Sequence, residues 1–469
     1  MATRSSGVRS VGFRCTECGW STVKWAGRCG ECRAWGSVAP ADASSVRAVR
    51  APVSGPARPI GEVDASDAAP EPTGVGEFDR VLGGGLVPGG VVLVAGEPGV
   101  GKSTLLLDVA ARAARAGRTV LYVSGEESSA QVRGRAERIG AVADRLLLAT
   151  ETDLGTVLGH LDQTRPELLV VDSVQTLASA EVDGQAGNVS QVREVAGVLI
   201  RLAKARSLAV LLVGHVTKDG SVAGPRVLEH LVDAVVQFEG DRHSRLRLVR
   251  AVKNRFGPTD EVGCFELRDS GIVGLPDPSG LFLSHCGAAV AGTCVTVAME
   301  GRRPLVAEVQ SLVTRATLSA PRRTTSGLDP SRLAMILAVL EKRSGLAAGS
   351  RDVFAATVGG MRVTEPAADL AILLALASSA MDRPLARDVV ALGEVGLAGE
   401  IRPVPALGPR LAEAARLGFR YALVPAGQLD VAPPAEPGVV EVADVRAAVE
   451  AMGRLCGPRA AAAMSGATA

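Results

Sequence analysis

The sequence predicts an α/β protein: a parallel sheet covered by helices on both faces, with a metal-dependent module before it and an α+β region after it. Three observations predict this. Between residues 89 and 216, short apolar runs alternate with segments of helical period, the pattern of strands joined by crossover helices. One strand-to-helix junction, GEPGVGKST (Gly96 to Thr104), fits G-x-x-x-x-G-K-[ST]. Near the N-terminus, Cys15, Cys18, Cys29 and Cys32 form two Cys-x-x-Cys pairs separated by ten residues, a spacing that supplies four thiolates to a structural zinc ion.

Composition sets the limits. A chain of 469 residues has room for two to four domains, each able to bury a core. Hydrophobic residues make up 47% and the net charge is only +1, so any nucleic-acid surface must be local. The opening MATRSSGVRS has no apolar signal region. The longest apolar run, LAILLALASSAM (Leu370 to Met381), is too short to span a bilayer. The expectation is a soluble, cytoplasmic protein with no membrane partner. Half of the eight cysteines sit in the N-terminal cluster, which favours metal over disulfides.

In chain order, residues 1–36 form the zinc motif, too short to fold without its metal. Phe13, Trp20, Trp25 and Trp35 crowd it, and packing around the zinc is their expected job, with base stacking or partner binding as the alternative. Residues 37–72 are rich in Ala, Pro, Ser and Val and read as a linker. The core domain, 73–275, opens with TGVGEFDRVLGGGLVPGG and carries the nucleotide loop. Its expected strands are 89–95, 118–124, 145–150, 167–175 and 208–216, and its helices 104–117, 126–140, 152–164 and 191–207. Ser244 to Arg255 alternates Arg with apolar residues, a strand with one basic face. A Gly/Pro-rich stretch leads into the third region, 276–457. PRRTTSGLDP (Pro321 to Pro330) reads there as a loop and Ser331 to Gly345 as a helix. Residues 458–469 are expected to be a disordered Ala-rich tail.

The chemistry is expected at strand ends, where open α/β sheets bind ligands. Gly96, Glu97, Pro98, Gly99, Val100, Gly101, Lys102, Ser103 and Thr104 would cradle the phosphates of ATP, with Lys102 on the β- and γ-phosphates and Ser103 on Mg2+. Asp172 closes LLVVD, where a carboxylate would hold the magnesium water shell. Glu126 ends its strand and could orient or deprotonate the attacking water. Glu127 is adjacent, and a helix-start carboxylate is the plain alternative for both. His215 ends LLVG, where a polar group can sense the γ-phosphate.

These segments, with YVSGEES, VVDSVQT, GHVTKDGSVAGPRVLEHLVD and KNRFGPT, resemble the bacterial RadA (also called Sms) family of DNA-repair proteins over essentially the whole chain. The N-terminal zinc motif belongs to the same pattern. The resemblance implies a RecA-like P-loop ATPase core, assembly as in the DnaB helicases, and a C-terminal Lon-protease-like domain. It implies a homo-hexameric ring that binds single-stranded and branched DNA, meets a RecA-type recombinase and drives branch migration of recombination intermediates. By the same resemblance Glu126 is the catalytic glutamate, Asp172 the Walker-B acid, and Lys253 and Arg255 of KNRFG (Lys253 to Gly257) are fingers reaching the γ-phosphate of a neighbouring subunit. Two cations on a turn would stabilise the transferring phosphoryl group only once a ring has assembled. Thr217 to Arg226, with Lys218 and Arg226, would face the channel of the ring. Against the Lon pattern, Ala367 stands where Lon has its serine and Gly408 where Lon has its lysine, so the domain should lack peptidase activity.

Two other classes compete with a DNA-stimulated motor. An ATP-dependent peptidase is opposed by the missing dyad. An ATP-gated signalling module is raised by the TGxxxFDxxLGGGxxxG opening, which KaiC-type ATPases share, and is opposed by the zinc motif and KNRFG.

Overall fold

Four thiols draw the first part of the chain together. Strand β1 (Phe13–Cys15) pairs antiparallel with β2 (Ser21–Thr22) and with β3 (Val38–Pro40), so the ordered ribbon runs past the boundary expected at residue 36. The reason is local: Val38 completes a small core with Cys15 and Cys29, against which Phe13 and Trp20 pack. Trp25 and Trp35 do not join it, a departure from the expectation that the aromatics pack around the metal. In this computed structural model the structure describes residues 12–15, 17–40, 59–62, 64, 68–215, 228–240, 245–284, 288–316, 320–428 and 437–455. They fall in two units, Met1–Ala65 and Ser66–Ala469.

The larger unit opens with a bridge between Glu71 and Leu86, which ties the end of the expected linker to the core, and with helix α1 (Gly76–Leu82). The alternation of strand and helix then follows in order: β4 (Val91–Gly96), α2 (Lys102–Arg115), β5 (Val120–Ser124), α3 (Ser129–Arg138), β6 (Leu146–Thr150), α4 (Leu154–Thr164), β7 (Leu168–Asp172), α5 (Val189–Arg206) and β8 (Ala209–His215). Every residue of β4, β5 and β7 is buried, as a strand covered by helices on both faces must be. Polar residues set the helix starts: Ser128 and Gln131 form a reciprocal capping box for α3, and the Asp153 carboxylate accepts from the Thr156 amide at 2.8 Å to cap α4.

The chain continues through β9 (Ala234–Glu239), β10 (Leu246–Asn254), β11 (Val262–Arg268) and β12 (Gly271–Gly274) to complete a nine-stranded sheet of order β12-β11-β10-β9-β4-β8-β7-β5-β6. The expected parallel sheet holds from β9 to β6. Strands β10 to β12 correct it: they are antiparallel, because short turns rather than crossover helices join them. The expected basic face of β10 is also corrected. Arg247 is buried and donates to the Val100 carbonyl, while Arg250 pairs with Glu239 and Glu300. The strand is covered on both faces around Arg247 and Arg250, so these two arginines serve packing.

The third region is a seven-stranded mixed sheet of order β15-β16-β14-β13-β17-β20-β21. It contains β13 (Thr293–Glu300), β14 (Arg303–Arg315), β15 (Arg323–Ser326), helix α6 (Pro330–Ser344), β16 (Arg351–Thr357), helix α7 (Asp369–Met381), β17 (Val389–Ala391), helix α8 (Leu407–Arg416), β20 (Tyr421–Pro425), β21 (Gly438–Val442) and helix α9 (Val445–Arg454); β18 (Glu394–Val395) and β19 (Ile401–Arg402) make a separate small hairpin. Strand β15 lies in the segment expected to be a loop; it forms because Thr324 to Ser326 pair in parallel with Phe354 to Ala356. The apolar run too short for a bilayer is α7, buried from Asp369 to Ser378 at the centre of this domain.

One buried ion pair ties the two sheets. The Arg303 guanidinium, 8% exposed, meets Glu77 of α1, 3% exposed, and also donates to the carbonyls of Val262, Leu275 and Pro276 at 3.0, 3.1 and 2.7 Å. Glu77 accepts in addition from the Cys264 amide at 2.9 Å. A buried pair survives desolvation only when its remaining hydrogen-bonding positions are satisfied, and here carbonyls and an amide do that.

Candidate active site and metal centre

At the carboxyl end of β4 the chain turns into α2 through Gly96, Gly99 and Gly101, whose φ values of 155°, 79° and 112° lie in the region open to glycine. Such a turn points backbone N–H groups into one concavity, the geometry that takes phosphate. Lys102, the first residue of α2, folds back over the loop: its Nζ donates to the Gly96 carbonyl at 2.8 Å and the Glu97 carbonyl at 2.9 Å. It is only 3% exposed. Burial pulls its pKa down to about 8, although the Asp172 and Glu126 carboxylates act the other way. The lysine therefore carries a positive charge that only neutral carbonyls and more distant acids compensate. Ser103 and Thr104 follow it on the first turn, both half-buried.

Strands β4, β8, β7 and β5 are neighbours and parallel, so their carboxyl ends meet on one rim. On β7, Asp172 accepts from the Tyr122 hydroxyl at 2.6 Å. Burial, reinforced by the Asp172 charge, pushes the Tyr122 phenol well above its ordinary range, which keeps it protonated as a donor. Just beyond β5, Glu126 accepts from the Ser173 hydroxyl at 2.6 Å and lies 3.0 Å from His215 Nε2 at the end of β8. The adjacent Glu127 turns elsewhere: its carboxylate meets Arg135 of α3, and its amide donates to Ser124 Oγ at 3.1 Å. Gly125, just before them, packs closely on the turn after β7: a Cβ there would lie 2.0 Å from Thr176 Oγ1. The His215 backbone is braced on both sides by the Gln175 amide at 3.3 Å, and among the described residues its buried Nδ1 has no partner.

Lys253 and Arg255 are not on this rim. Asn254 pairs with Ala234, which pairs with Val92 near the start of β4. About 13 Å of strand, at roughly 3.3 Å per residue, separates Val92 from Gly96. Lys253 Nζ donates to the carbonyls of Glu229 and Val232 at 2.8 and 2.7 Å, and Arg255 pairs with Asp233 at 3.4 Å. Asp233 also accepts from Lys204 at 2.7 Å and from the Val91 amide at 3.1 Å. The turn after β10 packs on the end of α1, where Asn254 Nδ2 donates to the Leu82 carbonyl at 3.2 Å and Gly257 lies against Gly83. The loop with Lys218 and Arg226 lies outside the described residues.

The four cysteines converge. Their sulfurs all lie within 4.8 Å of one another, with Cys15 to Cys32 at 3.7 Å and Cys18 to Cys29 at 3.5 Å. A tetrahedron with metal–sulfur bonds of about 2.3 Å has edges near ~3.8 Å, so the donor set fits one cation. Two matching turns produce this. In the first, the Cys15 amide donates to the Trp20 carbonyl and the Gly19 amide to the Cys15 carbonyl; in the second, the Cys29 amide donates to Ala34 and the Arg33 amide to Cys29. The Ser37 hydroxyl, foremost among several hydrogen bonds, draws the Cys15 thiol down to about 6, whereas against the Ala34 backbone hydrogen bond, burial and the neighbouring sulfurs push the Cys32 thiol up to about 12.

In the third region, Ala367 is buried and Gly408 is the second residue of α8. Each lies two residues from a partner in a closed ion pair: Arg410, 0% exposed, donates through Nη1 and Nη2 to Glu365 at 2.7 Å each. Arg410 also donates to the Pro405 carbonyl at 3.0 Å and to that of Val297, and Glu365 accepts from the Met299 amide at 2.7 Å.

Residues 63–221 match the model of the AAA domain, and residues 13–40 that of the rubredoxin metal binding domain. The DNA repair protein RadA of Mycobacterium tuberculosis is 55% identical over 429 residues, covering 90% of this chain and 89% of the relative. The chain belongs to the RadA family. RadA of Mycolicibacterium smegmatis is 52% identical over 95% of this chain and 97% of its own length, and RadA of Streptococcus pyogenes 46% identical over 89% and 93%. With the AAA match, membership makes the core of this RadA-family chain a RecA-like P-loop ATPase preceded by a metal-binding ribbon. Among the described residues, no helix is long and apolar enough to cross a membrane.

Four residues of the site escape the sequence reading. Tyr122, Ser173 and Gln175 sit in strands and turns whose pattern reports only burial, and their roles depend on which strands are neighbours. Asp233 had a signal: an acid that closes LEHLVD, where Glu229 is the other acid, just before an apolar strand.

Proposed function

We propose that this protein is an ATP-driven motor of recombinational DNA repair that binds single-stranded DNA, works as a hexameric ring and drives branch migration of recombination intermediates. The observation that carries the reading is the division of the site between two ends of one sheet. Lys102, Asp172, Glu126 and His215 gather at one rim, while Lys253 and Arg255 lie at the other end, out of reach of their own loop. A neighbour's nucleotide is then the natural target of those two cations, and hydrolysis depends on assembly.

In this scheme the loop amides and Lys102 bind the β- and γ-phosphates of ATP. Ser103 and Asp172 would hold Mg2+, which would neutralise phosphate charge during the transfer. Tyr122 fixes the Asp172 carboxylate. Glu126 orients the attacking water, and Ser173 and His215 hold its carboxylate in place. The unpartnered Nδ1 of His215 suits a group that reports on the γ-phosphate. Zinc is the metal of the four-cysteine ribbon, since all-thiolate tetrahedral sites of this spacing take it. The third region, read as Lon-like, has no nucleophile at Ala367 and no base at Gly408. The Glu365–Arg410 pair closes the space between them, so peptidase chemistry is absent.

The test is steady-state ATP hydrolysis with and without single-stranded DNA, with Lys102→Ala as the blank. Strong stimulation that vanishes in the variant is the expected result. Hydrolysis indifferent to DNA would transfer the reading to an ATP-gated signalling module. Lys253→Ala and Arg255→Ala should lose hydrolysis and keep ATP binding; loss of binding would count against fingers acting in the neighbour.

A further inference from the structure

The ribbon leaves two of its three tryptophans in solvent. Trp25 is 65% exposed and Trp35 77%, beside Val23 at 75%, whereas Trp20 packs on the small core. Apolar rings this exposed on so small a module mark a surface with a partner. The two rings share one place: a Cβ at Gly27 would lie 3.6 Å from Trp25 Cη2 and 3.9 Å from Trp35 Cζ3. The Gly36 amide donates to the Gly27 carbonyl at 2.9 Å, and Arg28 bridges to Trp35, which holds the two segments together.

The surroundings are cationic. The Arg28 guanidinium lies 5.7 Å from the Trp35 ring centroid, and among the described residues Lys24, Arg28 and Arg33 form no ion pair with a carboxylate. The described ribbon, residues 12–15 and 17–40, carries Arg14, Lys24, Arg28 and Arg33 against Glu17 and Glu31, and three of these four cations lie in the Lys24 to Trp35 stretch that displays the tryptophans.

We infer that Trp25 and Trp35 form a base-stacking surface for single-stranded DNA, with Lys24, Arg28 and Arg33 meeting the phosphates. Aromatic faces beside unpaired cations are the recurrent way to hold unpaired bases without reading sequence. A protein partner that needed apolar contact alone would not call for this charge. The inference rests on the proposal that the protein binds single-stranded DNA and assigns part of that binding to the ribbon.

The chain supplies its own reporter, because all three tryptophans lie in the ribbon. Full-length protein is titrated with end-labelled oligothymidylate while anisotropy of the label and tryptophan emission are followed together. Binding by anisotropy should be accompanied by quenching of the tryptophans. Trp25→Ala and Trp35→Ala should each weaken binding by about fivefold to a hundredfold and remove most of the quench, with Trp35→Phe recovering part of the affinity. Zinc content equal to that of the parent shows that the variant ribbons are folded. Binding by anisotropy with unchanged emission and unchanged affinity in both variants would overturn the inference and leave the motor reading standing. No binding by anisotropy would overturn both.

Discussion

Two buried cations in this molecule are held in opposite ways. Arg410 is fully enclosed and fully answered, with a bidentate carboxylate and two carbonyls around its guanidinium. Lys102 is almost as enclosed but among the described residues donates to just two carbonyls, and burial has already drawn its pKa down to about 8. A saturated charge is structural, since nothing more can bind it without breaking something. An under-compensated charge is a vacancy for an anion. The same contrast separates Glu127, paired to Arg135, from Glu126, held among the described residues by a hydroxyl and an imidazole at the rim. The difference between scaffold and site in this chain is the completeness of each charge's partners.

That contrast can be broken in several ways. The largest effect is expected from stripping the ribbon's metal, which has little core to fall back on. Chelation should cost on the order of 10–16 kcal/mol of folding free energy locally and collapse the dispersion of tryptophan emission, while the unfolding transition of residues 66–469 stays in place. Emission unchanged by chelation would show that the metal is dispensable. Next, Arg410→Met strands Glu365 and should destabilise the third region by about 3–5 kcal/mol, seen as a fall in Tm. By contrast, Lys102→Met should leave Tm equal or higher, because it removes a costly buried charge, and should abolish hydrolysis. Equal Tm losses in the two variants would erase the distinction.

Smaller effects sharpen it. Tyr122→Phe removes a donor to a carboxylate, an interaction of about 1.5–3 kcal/mol, and should raise the Mg2+ concentration needed for half-maximal hydrolysis by about tenfold or more. An unchanged Mg2+ requirement would confine Tyr122 to packing. The smallest effect concerns pH. Free Lys102 holds its proton below about 8, and bound phosphates should restore the ordinary lysine value, so ATP binding takes up a proton above that pH. Affinity should be level below about pH 8 and fall above it, by at most about tenfold per pH unit. Calorimetry in two buffers of different ionisation enthalpy should show the uptake; affinity that is level from pH 8 upwards would place the charged form in the free protein.

Much of this was legible in the sequence because it is periodic or covalently local. The buried strands β4, β5 and β7 announce themselves as apolar runs, and the nucleotide loop and the cysteine pairs are contiguous motifs. Contacts that join distant segments were not legible. The antiparallel strands β11 and β12 were not read at all, and nothing in the composition of β10 shows that it runs antiparallel to its neighbours. The arginines of β10 looked like a basic face because alternation cannot reveal that a second domain covers the other side. Strand β15 hid in a polar stretch whose pairing comes wholly from β16. The choice between Glu126 and Glu127 needed a third dimension, in which Arg135 claims one of them.

Helix α1 has a mechanical consequence. Its first turn carries Glu77, clamped to Arg303 of the third region, and its last turn packs against the segment of Lys253 and Arg255. A helix of seven residues spans only about 10 Å and is too short to bend appreciably. Its two ends therefore belong to one short rigid body: in the proposed ring, a neighbour's phosphate that shifted the Lys253 to Gly257 turn would also load the Glu77–Arg303 clamp on the seven-stranded sheet.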